Sequence, residues 1–112
     1  MKNSIAVGDD IINLDKEGYL RQLEDWSEEV ANLLAKQEGI TLQQTHWELI
    51  HLLRSFYQRH QLSPANRALV NLVKRELGPE KGKSAYLMGL FGGSPAKISS
   101  KIAGLPKPDN CL

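Results

Sequence analysis

The feature that most constrains the fold is the punctuation of residues 25–104, where Gly and Pro divide the chain into short segments of helical period. Asp25 with Glu28 three positions on fits a capping box, and Trp26, Val30, Leu33 and Leu34 recur as an apolar stripe up to the stop at Gly39. Thr41 with Gln44 repeats that pattern and opens a longer helix to about His60, with Trp47, Ile50, Leu53, Phe56 and Tyr57 as its stripe. Ser63-Pro64 places an N-cap before a proline at the first helical position of a third helix ending at Leu77, ahead of Gly78-Pro79. A fourth helix is expected from Ser84 to about Phe91. A last one starts at Ser94-Pro95, with Ile98 and Ile102 on one side and Lys97 and Lys101 on another, and stops at Gly104.

Ahead of these helices, Ile5–Val7, Gly8-Asp9 and Asp10–Leu14 have the form of a hairpin around a Gly-containing turn, and Asp15–Gly18 reads as a second turn. A lone hairpin is marginal in water, so it must pack on the helices. The expected architecture is mainly α: a small helical bundle, helix-turn-helix-like at its core, with an N-terminal β-hairpin and a mobile C-terminal arm. Residues 1–104 form the body and residues 105–112 the arm. At 112 residues the chain holds one modest core. Apolar runs of three or four residues exclude a membrane span, and Met1–Ile5 has no apolar stretch of the secretory kind.

The single cysteine, Cys111, is the penultimate residue and follows Leu105-Pro-Lys-Pro-Asp-Asn. Two prolines and an Asp-Asn pair are poor material for a packed element, so the thiol is expected on an extendable arm. One cysteine excludes an internal disulfide and most cysteine-based metal sites, and it suits a reducing, cytoplasmic setting. Prenylation requires the cysteine four residues from the end, which this chain lacks. An ordinary thiol ionises near pH 8.5. The terminal carboxylate and Asp109 work against ionisation and Lys107 favours it, so activation is expected from a partner. Seven residues beyond Gly104 reach at most about 25 Å. Thiol–persulfide exchange needs no cofactor, and no metal, flavin or nucleotide fingerprint is present.

Charge is unevenly spread. Residues 1–60 carry six Lys/Arg against ten Asp/Glu, and residues 61–112 carry eight against three. The thiol therefore ends a basic half suited to an acidic or phosphate-bearing partner. Lys97, Lys101 and Lys107 are candidate docking contacts, although solvated lysines would have the same pattern. His46 and His51 are five apart and do not share a helix face as an i, i+4 metal pair would, and His60 suits a helix C-terminus. The short Gln61–Ser63 connection permits a helix-turn-helix whose second helix carries Asn66, Arg67, Asn71, Lys74 and Arg75. Near-neutral net charge and the lack of an aromatic–basic platform argue against direct DNA binding.

The stretch Phe91 to Leu112, with its Pro-Ala-Lys run, Lys101-Ile-Ala-Gly-Leu-Pro-Lys-Pro and penultimate cysteine, resembles the C-terminus of the DsrC/TusE family. Leu14-Asp-Lys-Glu-Gly-Tyr-Leu20, Asp25-Trp26 and His46-Trp47-Glu48 extend the resemblance over nearly the whole chain. It implies a helical core with an N-terminal hairpin and a mobile arm. Members that work with sulfite reductase have a second cysteine eleven positions before the penultimate one, where this chain has Ser100. The bridge between two cysteines is thereby closed to it. The resemblance is to the single-cysteine, TusE-like branch, and it implies a sulfurtransferase that holds sulfur as a persulfide on Cys111. The implied route runs from a TusBCD-type donor complex to the tRNA 2-thiouridylase MnmA, for 2-thiolation of wobble uridine. The alternatives are a single-cysteine carrier of another sulfur pathway and a helix-turn-helix DNA-binding regulator.

Overall fold

The computed structural model describes residues 3–109, so Cys111 lies outside the described residues. Two strands, β1 (Ser4–Val7) and β2 (Asp10–Asn13), pair antiparallel with Ile5 opposite Ile12 and Val7 opposite Asp10. Gly8 takes φ 60°, the left-handed conformation that a two-residue hairpin turn demands. Asp15 Oδ1 then accepts the amides of Glu17 and Tyr19 at 2.9 and 3.0 Å, forming the expected second turn, and Leu14 bridges to Leu20. Ile5, Leu14 and Leu20 enter the core and give the hairpin the support it lacks alone.

Five helices follow: α1 (Glu28–Gln37), α2 (Gln44–His60), α3 (Asn66–Leu77), α4 (Ser84–Phe91) and α5 (Pro95–Ile102). The mainly α bundle with an N-terminal hairpin is therefore as expected. Three helix starts differ. Asp25 ends a short 3-10 turn, and Ser27 caps α1 by accepting the Val30 amide at 3.2 Å. The α2 box is formed by Gln43 and His46 rather than by Thr41 and Gln44. α3 begins after Ala65, and the Ser63 hydroxyl is buried without a hydrogen-bond partner, so it caps nothing. In each case the N-cap is the residue whose backbone remains extended where the helix is packed; Ser27 is a preferred capping type, but Gln43 and Ala65 are not, so packing overrides the local preference for Thr41 and Ser63.

The short last helix is the centre of the bundle: α5 packs against α1, α2, α3 and α4. Two-sided amphipathicity understates it, because Pro95, Ala96, Ser99, Ser100 and Ile102 are all buried. Small side chains at 96, 99 and 100 let the surrounding helices approach a single axis closely. The rest of the core comes from Val30 and Leu34 of α1, Leu49, Ile50 and Leu53 of α2, Leu69 and Val73 of α3, and Leu87 and Phe91 of α4.

Candidate functional site: the root of the cysteine arm

The arm that bears Cys111 leaves the C-terminal end of α5, where the last carbonyls of a helix have no partner within it. Two side chains from elsewhere in the chain supply donors. Trp26 Nε1 donates to Ile102 O at 2.9 Å, and Arg54 Nη1 donates to Ala103 O at 2.7 Å. The Arg54 guanidinium lies 3.8 Å from the centre of the Trp26 ring, so the two form one stacked clasp. Partial burial pushes the Arg54 pKa down, although a guanidinium remains charged.

Gly104, with φ 74°, closes the helix; a Cβ there would overlap the Trp26 side chain. Leu105 then bonds back through its amide to Ser100 O at 2.9 Å and is only 3% exposed. Pro108 is buried as well, while Pro106, Lys107 and Asp109 are exposed. The described start of the arm thus lies along the body. Sequence reasoning placed Trp26 in a helix stripe and passed over Arg54. The available signal was a cation directly after the core residue Leu53, but its target is a main-chain oxygen that no side-chain pattern reports.

The three candidate docking lysines differ in surroundings. Lys101 Nζ pairs with Glu38 Oε2 at 3.1 Å, lies 5.2 Å from the centre of the Tyr19 ring and has a side chain only 15% exposed. Lys107 pairs with Glu17 at 3.0 Å, and both side chains are nearly half exposed. The Lys97 carbonyl accepts the Tyr19 hydroxyl at 3.2 Å, and its side chain is half-buried. Tyr19 and the two carboxylates therefore fasten α5 and the arm to the turn after the hairpin and to the end of α1. Ser100, at the position where the resemblance places a second cysteine, is 0% exposed, and its Oγ has no hydrogen-bond partner.

The histidines have structural partners. His46 is buried: its Nδ1 accepts the Gln43 amide at 2.9 Å, and its Nε2 is 2.9 Å from Leu90 O, which makes Nε2 the protonated nitrogen. His51 stacks on Trp47 and His60 lies against Phe56. Among the described residues no group of three His, Cys, Asp or Glu is placed to hold a metal, and no helix is long and apolar enough to cross a membrane. Arg67, Asn71, Lys74 and Arg75 of α3 are exposed, whereas Asn66 Oδ1 is engaged by the Ala96 amide at 2.9 Å.

The chain matches the model of the family described as DsrC like protein over residues 6–112. It is 52% identical over 101 residues to the protein named sulfurtransferase TusE from Sodalis glossinidius, covering 90% of this chain and 94% of that one. Against sulfurtransferase TusE of Escherichia coli the identity is 48% over 101 residues, covering 90% and 93%. Among solved structures, DsrC of Allochromatium vinosum superposes with a TM-score of 0.89 at 44% identity, over the full length of both chains. The oxidized gamma subunit of dissimilatory sulfite reductase from Archaeoglobus fulgidus has a TM-score of 0.84 at 37% identity, covering 97% of this chain and 99% of that one. A match that spans both the hairpin and the clasped C-terminal helix leaves one assignment: the chain belongs to the DsrC-like family.

Proposed function

We propose that the protein is a sulfurtransferase that carries sulfur as a persulfide on Cys111 in a relay that 2-thiolates tRNA wobble uridine. The observation that carries this reading is near-full-length identity of about half to relatives named sulfurtransferase TusE, in a chain with one cysteine at its penultimate position. The Cys111 thiolate attacks the outer sulfur of a donor persulfide. A new sulfur–sulfur bond forms at Cys111, the donor's breaks, and the donor leaves as a thiolate, with no net oxidation. The acceptor repeats the step on Cys111–S–SH and returns the Cys111 thiolate. Body residues 1–104 hold the root, and residues 105–112 present the sulfur. The donor in this reading is a TusBCD-type complex and the acceptor a MnmA-type thiolase, in the cytoplasm, where the thiol stays reduced.

Lys107 is already neutralised by Glu17 in the free protein, which leaves thiol activation to the partner. Lys97 and Lys107 are the proposed docking cations, with Lys107 exchanging Glu17 for a partner carboxylate. Lys101 serves the root more than the partner, because it is mostly buried on Glu38. A lone thiol cannot close an intramolecular disulfide, so the reading requires no second cysteine. Incubation with a cysteine desulfurase and the donor complex is expected to add the mass of one sulfur atom, removable by reductant. Cys111→Ser is expected to abolish both this gain and tRNA 2-thiolation. Loading that persists in Cys111→Ser would exclude the mechanism. Loading on Cys111 with unchanged tRNA thiolation in Cys111→Ser cells would assign the carrier to a different sulfur pathway.

A further inference from the structure

The root and the thiol leave unused a basic cleft on the opposite end of α5. Asn66, Arg67, Val70 and Asn71 of α3 and Ser84 at the start of α4 line a cavity of about 360 Å³, and no carboxylate is among them. Gly82 makes this cleft possible, since a Cβ there would overlap Lys74, so the loop before α4 presses directly on α3. Of these lining residues only Arg67 is charged; Lys74 continues the exposed face of Arg67 and Asn71 at i, i+4, i+7, and Lys83 lies in sequence between Gly82, which touches Lys74, and Ser84, which lines the cleft. Arg75 is paired with Glu76, but Arg67, Lys74 and Lys83 have no carboxylate partner among the described residues.

We propose that this cleft binds a backbone phosphate of the RNA that accompanies the acceptor, an inference that rests on the relay proposed above. Guanidinium and ammonium groups together with neutral hydroxyl and amide donors are the set that contacts phosphate. A purely cationic rim would suit a protein carboxylate equally well, but the polar lining favours an anion with several acceptor oxygens. Duplex DNA is the weaker fit. The residue at the N-terminus of α3, where a recognition helix reads bases, is Asn66, and its carbonyl oxygen is committed to Ala96. That same bond ties the cleft to the first turn of α5, while the arm leaves the last. The helix has eight residues, so the two ends are about 12 Å apart at 1.5 Å per residue. The cleft and the root of the arm are therefore near enough for one RNA-bound acceptor to meet both.

The test uses the full chain and fluorescein-labelled, unthiolated wobble-uridine tRNA, followed by anisotropy across a salt series. Arg67→Gln with Lys83→Gln, both exposed positions, is expected to weaken RNA binding about tenfold. Loss of that one phosphate contact is also expected to reduce the slope of log K against log salt by about 0.7. Sulfur loading of Cys111 should be unchanged in this variant, and Cys111→Ser should bind RNA as the parent does. Unchanged affinity and slope in the double variant would overturn the cleft assignment while leaving the relay intact. Equal affinity for duplex DNA of similar length would overturn the choice of RNA. Failure of the parent to take sulfur, with RNA binding retained, would count against the relay alone.

Discussion

Gly104 has no room for a methyl group: the space that a Cβ would take is held by Trp26, and its φ of 74° belongs to the left-handed region. Gly104→Ala is therefore expected to cost about 2 kcal/mol or more, from backbone strain and overpacking together. Urea unfolding would measure it, and a loss below about 0.5 kcal/mol would show that the clasp yields easily. Ser100 has the opposite problem. Its buried hydroxyl has no partner, so Ser100→Ala is expected to raise stability by about 1 kcal/mol, again read from the urea midpoint. The glycine stop at 104 was legible from position alone. The unpartnered hydroxyl was not, because a serine in an eight-residue helix next to lysines reads as solvated until the surrounding helices are in place.

At the scale of elements, α5 and the clasp decide where the arm begins. Arg54 caps a carbonyl at the end of α5 from another helix, and Trp26 reaches it from the extended residues before α1. Arg54→Gln is expected to destabilise the protein by about 1–2 kcal/mol, as loss of a charge-assisted hydrogen bond does. It should also accelerate amide exchange at Gly104 and Leu105 more than in α3, and Arg54→Lys should restore only part, since a lysine lacks the planar stack on Trp26. Uniform exchange across the helices would refute a local role. Helix number and order were readable from the glycine and proline breaks, and α4 and α5 start and end close to their expected residues. The starts of α1, α2 and α3 were displaced toward the C-terminus. Trp26 had to stay extended to meet α5, and His46 was drawn into a cap by its bond to Leu90. These are long-range demands that local capping rules do not contain.

At the scale of the whole molecule, a radius of gyration of 13.3 Å is that of one folded domain of this length, about 13 Å. Besides the two ion pairs at the root, Lys81 in the loop before α4 donates to Glu48 of α2 at 2.6 Å. The hydrogen bond to Glu48 holds the Lys81 pKa above its ordinary value, with the Glu48 charge and Tyr86 adding to it against partial desolvation. A pKa raised in the folded state gives a contribution that is complete below the ordinary lysine value of about 10.4 and fades as pH climbs through the folded one. Stability is therefore expected to decline on the alkaline side above about pH 10.4, and Lys81→Gln should flatten that decline in thermal melts at a series of pH values. An unchanged alkaline limb in Lys81→Gln would remove the pair from the account. The sequence by itself determined the helical class, the hairpin, the breaks between elements and the solitary thiol near the end, because these follow from backbone restriction, periodicity and residue chemistry. Only the tertiary structure decided that an eight-residue helix near the end of the chain is the axis of the bundle, that Trp26 and Arg54 meet on its last carbonyls, and that Gly82 lets a cleft form at its other end. Those depend on which small residues let distant segments approach, and close approach is a property of packing in three dimensions rather than of order along the chain.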